Sequence, residues 1–252
     1  VAWLKQWGTP YFDTVQGDFL AISNGNIYVL CSCNAVSGLG GGDPQITVFN
    51  SQGDVLRTVD LLGRSGTESI VADDNGVYVV FTEKNIGQII AKFDYQANDP
   101  IVWTARNPEY ITHIALYGDA IYGVGRNSVE SYIVWFSRET RNTLRIAYQD
   151  ERYFLDAIAV DANGVYVISA TFGTFTALKY AHDLADTPLE NTFSGNWMLL
   201  GAAPVFDSDS LYMVTDESYL FRLDKSTLEI KWSRTDVGDS TPDGAAVALI
   251  GD

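Results

Sequence analysis

Apolar and polar residues alternate along most of the chain in short runs bounded by Asn, Asp, Gly and Ser, and a 3.6-residue helical period is hard to find. The alternation is clearest in a phrase of eleven residues that ends in tyrosine and occurs five times without a gap. The phrases are Asp18–Tyr28, Glu68–Tyr78, Thr112–Tyr122, Asp156–Tyr166 and Ala202–Tyr212. Their tyrosines lie 50, 44, 44 and 46 residues apart, so the chain is built from five repeats of similar length.

Each phrase predicts a β-hairpin. A short apolar strand leads into a polar turn, and a second strand rich in β-branched residues carries the tyrosine. The turns are placed at Asn24-Gly25, Asn75-Gly76 and Asn163-Gly164, and both residues of each pair are expected to have positive φ. A third strand follows, ending near Phe49, Phe93, Phe136, Tyr180 or Leu223, and then a fourth strand.

Four strands per repeat and a period of this length are typical of a β-propeller. The predicted fold is therefore all-β, a propeller with five complete four-stranded blades plus a partial blade from the two termini. The repeat units are residues 11–62, 63–106, 107–150, 151–196 and 197–237, and the terminal strands are residues 2–7 and 245–250. The predicted core comprises Ile27, Val29, Val77, Val79, Ile121, Val165, Val167 and Leu211, which flank the aligned tyrosines.

The fifth repeat also carries a family resemblance. In Ser210–Ser233 a strand ending in Leu223-Asp224 is followed by the turn residues Ser226-Thr227 and by an outer strand with Trp232. This segment resembles the repeat of the quinoprotein-type β-propellers (the PQQ-like and WD40-like superfamily). The resemblance implies the fold but no activity, because related propellers range from dehydrogenases to assembly factors.

The two ends of the chain supply an incomplete blade. Ala2–Trp7 is an outer strand, and Gly244–Asp252 matches the first nine residues of the repeated phrase, so the blade lacks its two middle strands. Three interpretations remain open: the natural chain continues past Asp252, five blades close with the ends packed across the seam, or a neighbouring chain completes the strands. The third predicts head-to-tail assembly through Trp3, Trp7, Val247 and Leu249.

Charge and composition limit the partners and the location expected for the protein. The net charge of −16 disfavours nucleic acid and anionic lipid, and no apolar run is long enough to span a membrane. The chain begins at Val1 rather than Met and has six Lys against ten Arg, so we expect an exported protein whose targeting segment was removed. The expected location is extracellular or in the cell envelope.

Catalytic and metal-binding motifs are scarce in the sequence. The only histidines, His113 and His182, fall in different parts of their repeats, so a zinc site is not expected. Cys31 and Cys33 share one face of a strand, either as buried thiols or as a strained disulfide. The acidic Asn-Gly turns resemble the opening of calcium loops but lack the closing glutamate. No metal or organic cofactor is expected.

One constellation could bind a ligand. The first position of the phrase is Asp18, Glu68 or Asp156 in three repeats and Thr112 in a fourth, and equivalent positions would form a ring at one mouth of a propeller channel. Such carboxylates could be solvated strand-entry residues, could bind a cation or glycan, or could catalyse glycoside hydrolysis. The sequence favours a non-enzymatic exported structural or adhesive module. The alternatives are a glycan-binding or glycoside-active propeller and a partner-binding envelope scaffold.

Overall fold

The fold is all-β. The computed structural model describes residues 12–35, 44–61, 64–83, 87–96, 101–106, 110–126, 130–149, 155–171, 173–194, 204–214 and 219–234. These residues form twenty strands and no helix, so the predicted secondary-structure class is confirmed for the described part of the chain. The strands make five four-stranded antiparallel sheets, in which strands that are consecutive in the chain are hydrogen-bonded neighbours.

Each sheet corresponds to one predicted repeat. Sheet 1 comprises β1 (Phe12–Ser23), β2 (Asn26–Ala35), β3 (Gln45–Asn50) and β4 (Val55–Asp60). Sheet 2 comprises β5 (Arg64–Asp73), β6 (Gly76–Glu83), β7 (Gly87–Phe93) and β8 (Ile101–Arg106). Sheet 3 comprises β9 (Ile111–Tyr117), β10 (Ala120–Arg126), β11 (Ser131–Ser137) and β12 (Thr143–Gln149). Sheet 4 comprises β13 (Leu155–Asp161), β14 (Gly164–Thr171), β15 (Thr174–Tyr180) and β16 (Leu189–Ser194). Sheet 5 comprises β17 (Val205–Phe206), β18 (Ser210–Val214), β19 (Leu220–Asp224) and β20 (Ile230–Arg234).

The chain divides into two compact units. Val1–Ile111 contains sheets 1 and 2, and Thr112–Asp252 contains sheets 3, 4 and 5. In the first unit one apolar cluster joins sheets 1 and 2. In the second unit, sheet 4 packs on sheet 3 through one set of its side chains and on sheet 5 through the other set. Sheet 4 is therefore covered on both faces, and its strands carry almost continuous apolar runs for that reason.

Burial of both faces explains most of the predicted core. The buried members are Val29, Val77, Val79, Ile121, Val165, Val167 and Leu211. The tyrosines on the opposite face are buried as well: Tyr28, Tyr78, Tyr122 and Tyr166. The prediction is wrong at Ile27, which is only half-buried, because the face of sheet 1 to which it belongs is incompletely covered.

The hairpin turns follow the prediction at the first of the three sites. Asn24 and Gly25 both have positive φ, at 51° and 74°, as a two-residue turn of type I′ requires. At the second and third sites the two turn residues are Asp74-Asn75 and Ala162-Asn163, one position before the predicted pairs, so the prediction is wrong there. Only the glycine of each pair, Gly76 at 146° and Gly164 at 147°, has positive φ, and it forms the first residue of the next strand.

A carboxylate accounts for this difference. Asp73 Oδ1 accepts the Asn75 N–H at 2.9 Å, and Asp161 Oδ1 accepts the Asn163 N–H at 2.7 Å. This side-chain bond reproduces a backbone turn and stabilises it without positive φ at the asparagine. The first repeat has Ser23 at the equivalent position, so Asn24 and Gly25 form the turn by their own backbone conformation.

Candidate functional site

The predicted ligand-binding carboxylates share one backbone feature. Asp18, Glu68 and Asp156 each lie at a register shift between the first and second strands of their sheets. Such β-bulges bend a strand and change the direction of the side chain at the extra residue. Three repeats thus place an acid at the same irregular point of an edge strand.

The side chains described at these positions have local partners. The Glu68 carboxylate accepts a hydrogen bond from the Tyr110 hydroxyl, and Thr112 Oγ1 donates to the Val124 carbonyl at 3.2 Å. Asp18 and Asp156 are described at the backbone only. Within the described side chains no group of three His, Cys, Asp or Glu residues could hold a metal ion. The acid of the second repeat therefore serves at least as a hydrogen-bond acceptor between neighbouring segments.

Several other predicted residues have assigned positions. His113 lies in β9 and His182 in the turn after β15, as predicted. Cys31 is buried in β2, where its thiol approaches the Val29 carbonyl at 4.0 Å. The assembly residues Trp3, Trp7, Val247 and Leu249 lie outside the described residues. The residues in the part of the chain that the structure describes include no helix that could cross a membrane.

A row of residues that the sequence did not predict follows the cross-strand register on one face of every sheet. The row begins at the aligned tyrosine and continues through its cross-strand neighbours on the third and fourth strands. We call it the tyrosine row. Its members are Tyr28–Val48–Arg57, Tyr78–Lys92–Trp103, Tyr122–Trp135–Arg145, Tyr166–Lys179–Leu189 and Tyr212–Arg222–Trp232, of which Trp103 and Arg145 are described at the backbone only. Cross-strand neighbours of this kind stabilise a sheet by direct side-chain contact.

Between sheets 1 and 2, the turn that leaves a third strand covers the tyrosine row of the preceding sheet. Tyr95, which follows β7, meets Tyr28 edge-on with ring centroids 6.1 Å apart. Its hydroxyl accepts from Asn26 Nδ2 at 3.2 Å, and its carbonyl accepts from Arg57 at 2.6 Å. We call the residue at this position of the turn the cap residue.

Sheets 3 and 4 are joined in the same way by a different side chain. The cap residue is His182, which follows β15 and stacks on Tyr117 with ring centroids 4.5 Å apart. Its carbonyl accepts a hydrogen bond from the Tyr122 hydroxyl at 3.1 Å, and its Nε2 lies 2.7 Å from the Asp161 carbonyl. Burial, together with nearby Tyr117 and Asp183, raises the pKa of Tyr122 to about 12.

Sheets 4 and 5 are joined through an ion pair. The cap residue is Lys225, which is only 4% exposed, and its ammonium binds the Asp161 carboxylate. The same ammonium donates to the Asp207 carbonyl at 2.8 Å and lies 6.0 Å from the Tyr166 ring centre. The backbone carbonyl of Lys225 accepts a hydrogen bond from Lys179 Nζ at 3.0 Å. A buried lysine needs such a set of partners, because an unpaired ammonium is costly to desolvate.

The electrostatics of this pair follow from the contacts. Burial works to raise the pKa of Asp161, but hydrogen bonds from Lys225 and from the Asn163 N–H outweigh it, so the pKa lies below its ordinary value. Burial beside the Asp161 carboxylate raises the pKa of Tyr166. Asp161 is thus held ionised by its turn and by the next sheet, which explains the acidic turn that resembled a calcium loop.

The aligned tyrosine of sheet 5 is less completely covered than the aligned tyrosines of the other four sheets. Tyr212 is half-buried, Trp232 is 36% exposed and the Arg222 side chain is 30% exposed. Arg222 lies 5.6 Å from the Tyr212 ring centre and donates from Nε to the Ser210 hydroxyl at 2.8 Å. The Tyr212 hydroxyl donates to Asp207 Oδ2 at 2.8 Å. The row is therefore an accessible surface of aromatic rings, one guanidinium and one carboxylate.

A second accessible surface lies on sheet 1. Leu20 and Ile22 of β1 are 59% and 63% exposed, and Val55 of β4 is 52% exposed. They share a face with Ile27, Val29 and Phe49, which form an apolar cluster. We call this surface the apolar face of sheet 1. Residues equivalent to Leu20 in sheets 2, 3 and 4 are Ile70, Ile114 and Ile158, which are 5%, 3% and 1% exposed.

Comparison with known proteins bears on the fold alone. No protein-family model matches the chain, and no curated protein matches it. Among solved structures, BamB from Moraxella catarrhalis is similar, with a TM-score of 0.51, 14% sequence identity and 89% of this chain covered. The match spans 63% of that BamB chain. BamB is a PQQ-like β-propeller repeat protein. The likeness supports a β-propeller fold. At this identity it carries no activity or partner over to the chain.

Proposed function

We propose that the chain is a non-enzymatic, exported structural module that assembles head-to-tail with copies of itself. The proposed architecture has one blade for each of the five sheets and a partial blade from residues 2–7 and 245–250. Its proposed place is the extracellular space or the cell envelope. The observation that carries the proposal is the apolar face of sheet 1, where Leu20 and Ile22 are exposed although the counterparts of Leu20 in sheets 2, 3 and 4 are buried.

The occupant of this face is a second copy of the chain, through its terminal segments. Residues 244–252 match the first nine residues of the repeated phrase, and Ala2–Trp7, with Trp3 and Trp7, has the sequence predicted for an outer strand. An apolar strand of this kind matches the surface left by Leu20, Ile22 and Val55. Contact between such different surfaces is head-to-tail and extends into a filament unless the rotation closes.

The strength of the contact can be bounded. Burying one fully exposed large aliphatic side chain contributes about 1.5–3 kcal/mol. Leu20 and Ile22 are 59% and 63% exposed, so burying what remains of both contributes roughly 2–4 kcal/mol to association. Replacing both by threonine keeps strand propensity and removes most of this term. We expect the double variant Leu20→Thr/Ile22→Thr to weaken self-association by at least about tenfold, which corresponds to about 1.4 kcal/mol.

Sedimentation velocity over a range of concentrations tests the proposal. The matched control is Val102→Thr/Leu144→Thr, two aliphatic residues that are 52% and 51% exposed on fourth strands. The control should assemble like the unmodified protein, and deletion of residues 1–8 should abolish assembly and leave the sheets folded. A monomer at high concentration, as intramolecular closure of five blades predicts, would overturn self-assembly. Equal assembly of the Leu20→Thr/Ile22→Thr variant would also overturn it.

A second candidate function is glycan binding through the carboxylates of the first strands. The observation in its favour is that Asp18, Glu68 and Asp156 lie at equivalent β-bulges. Carboxylates arranged around a channel mouth could bind sugar hydroxyl groups or act on glycosidic bonds. The triple variant Asp18→Asn/Glu68→Gln/Asp156→Asn, assayed for glycan binding and hydrolysis, tests this candidate. Unchanged binding and hydrolysis would remove it.

A further inference from the structure

The tyrosine row of sheet 5 has the features of a surface that receives a cap residue. In three pairs of consecutive sheets the cap residue forms the same two contacts. Its side chain lies against the aligned tyrosine or its neighbours, and its carbonyl accepts a hydrogen bond from a side chain of the preceding sheet. The three pairs of donor and cap residue are Arg57 and Tyr95, Tyr122 and His182, and Lys179 and Lys225.

In two of the three pairs the character of the cap residue matches one position of the preceding hairpin. That position is the sixth residue of the repeated phrase. Where it is Tyr117, the cap residue is an imidazole stacked on it, and where it is Asp161, the cap residue is the lysine that binds it. In sheet 5 the sixth residue is Asp207, whose side chain is 36% exposed and lies at the long distance of 3.9 Å from Nη2 of Arg222. An aspartate beside an aromatic ring favours a basic cap residue, because the cation forms an ion pair with the aspartate and a cation–π contact with the ring.

We propose that the tyrosine row of sheet 5, with Asp207, is a docking site for a lysine or arginine presented on a β-turn of a partner protein. The basic side chain lies over Tyr212 and binds the Asp207 carboxylate, as Lys225 does with Tyr166 and Asp161 in the preceding pair. Arg222 occupies the row position of Lys179 and donates to the carbonyl of the incoming turn.

Charge favours a different protein as the source of this residue. The chain has a net charge of −16, so a basic partner gains from long-range attraction. The inference is separate from self-assembly through sheet 1, because it concerns a face in the other compact unit.

The test uses the full chain and a cyclised peptide with the sequence of residues 219–234, the hairpin that carries Lys225. A matched peptide has Ser in place of this lysine. Isothermal titration calorimetry at low salt should give binding at least about tenfold tighter for the lysine peptide than for the serine peptide. Raising the ionic strength from about 0.05 M to about 0.5 M should weaken it, because the contact is exposed to screening.

Protein variants identify the acceptor. Asp207→Asn keeps the oxygen that accepts the Asp209 and Ser210 N–H groups but removes the charge, and should weaken binding of the lysine peptide about tenfold. The control Asp94→Asn alters a turn-capping acid that follows a third strand in the other unit and should have no effect. The proposal is overturned if the two peptides bind equally, if Asp207→Asn binds like the unmodified protein, or if a peptide whose hairpin is verified by NMR does not bind at millimolar concentration.

Discussion

The buried ion pair between Lys225 and Asp161 should dominate the stability of the contact between sheets 4 and 5. The side chains of this pair are 5% and 11% exposed. In Lys225→Met the replacement keeps the length of the side chain and its packing on Tyr166 and Phe206 but removes the charge. The Asp161 carboxylate is then left buried without its cation, and the Asp207 carbonyl loses a donor.

Removing one partner of a buried ion pair costs about 3–5 kcal/mol, because the remaining charge is uncompensated. We therefore expect Lys225→Met to lower the free energy of unfolding by about this amount. In the double variant Asp161→Asn/Lys225→Met the orphaned charge is gone, and we expect it to recover part of the loss. The difference between the double variant and the sum of the single variants measures the coupling of the two groups.

Urea unfolding at pH 7, followed by far-UV circular dichroism, measures these changes. The matched control is Lys231→Met. Lys231 pairs with Asp209 and Asp224, but its side chain is 28% exposed, so the loss should be much smaller than for Lys225→Met. A loss below about 1 kcal/mol for Lys225→Met, or an equal loss for both lysines, would refute the reasoning that burial decides the strength of the pair.

Two further predictions concern acid stability and turn geometry. The pKa of Asp161 is lowered in the folded state and that of Asp207 is lowered to about 2, so the stability that these carboxylates contribute should be fully present above about pH 4 and fall between about pH 4 and pH 2. The free energy of unfolding of Lys225→Met should depend less on pH across this range. An unchanged pH dependence would contradict the role assigned to Asp161. Gly164→Ala should lower the free energy of unfolding by about 2–4 kcal/mol, because the new Cβ would lie 2.5 Å from the Tyr180 carbonyl oxygen. Gly25→Ala has open space around it and should lower it by about 1 kcal/mol. Thermal unfolding measures both losses, and equal losses would refute the steric argument.

The strands and their grouping into sheets could be predicted from the sequence because the repeated phrase carries both the alternation and the turn residues. The error at Asn75 and Asn163 has a local cause. The acid that precedes the turn accepts an N–H from the asparagine, and the Asn-Gly pair taken by itself does not indicate this bond. The exposure of Leu20 could not be predicted, since the phrase looks the same whether or not a neighbour covers it.

The cap residues were missed for a different reason. They are Tyr95, His182 and Lys225, which have no side-chain chemistry in common, so aligning the repeats does not reveal a shared motif. Their partners lie far away in the chain: Asn26 and Tyr95 are 69 residues apart, and Lys179 and Lys225 are 46 apart. The sequence signal lies in pairs of residues. One member is the acid or aromatic residue of one hairpin, and the other is the residue that follows the third strand of the next repeat. Finding such a signal requires a register between repeats, which the structure supplies.

The pairs of hairpin residue and cap residue also determine which segment of the chain could be duplicated or exchanged without breaking a contact. A duplication that copies sheet 4 as one whole unit would place the Asp161 of the first copy opposite the His182 of the second copy, instead of opposite the lysine that fits it. A segment that runs from the hairpin of one sheet to the third-strand turn of the next keeps the acid and its lysine together. The natural boundary for exchanging modules in this chain therefore falls inside the sheets, and the order of the repeats is constrained by chemical matching between neighbours.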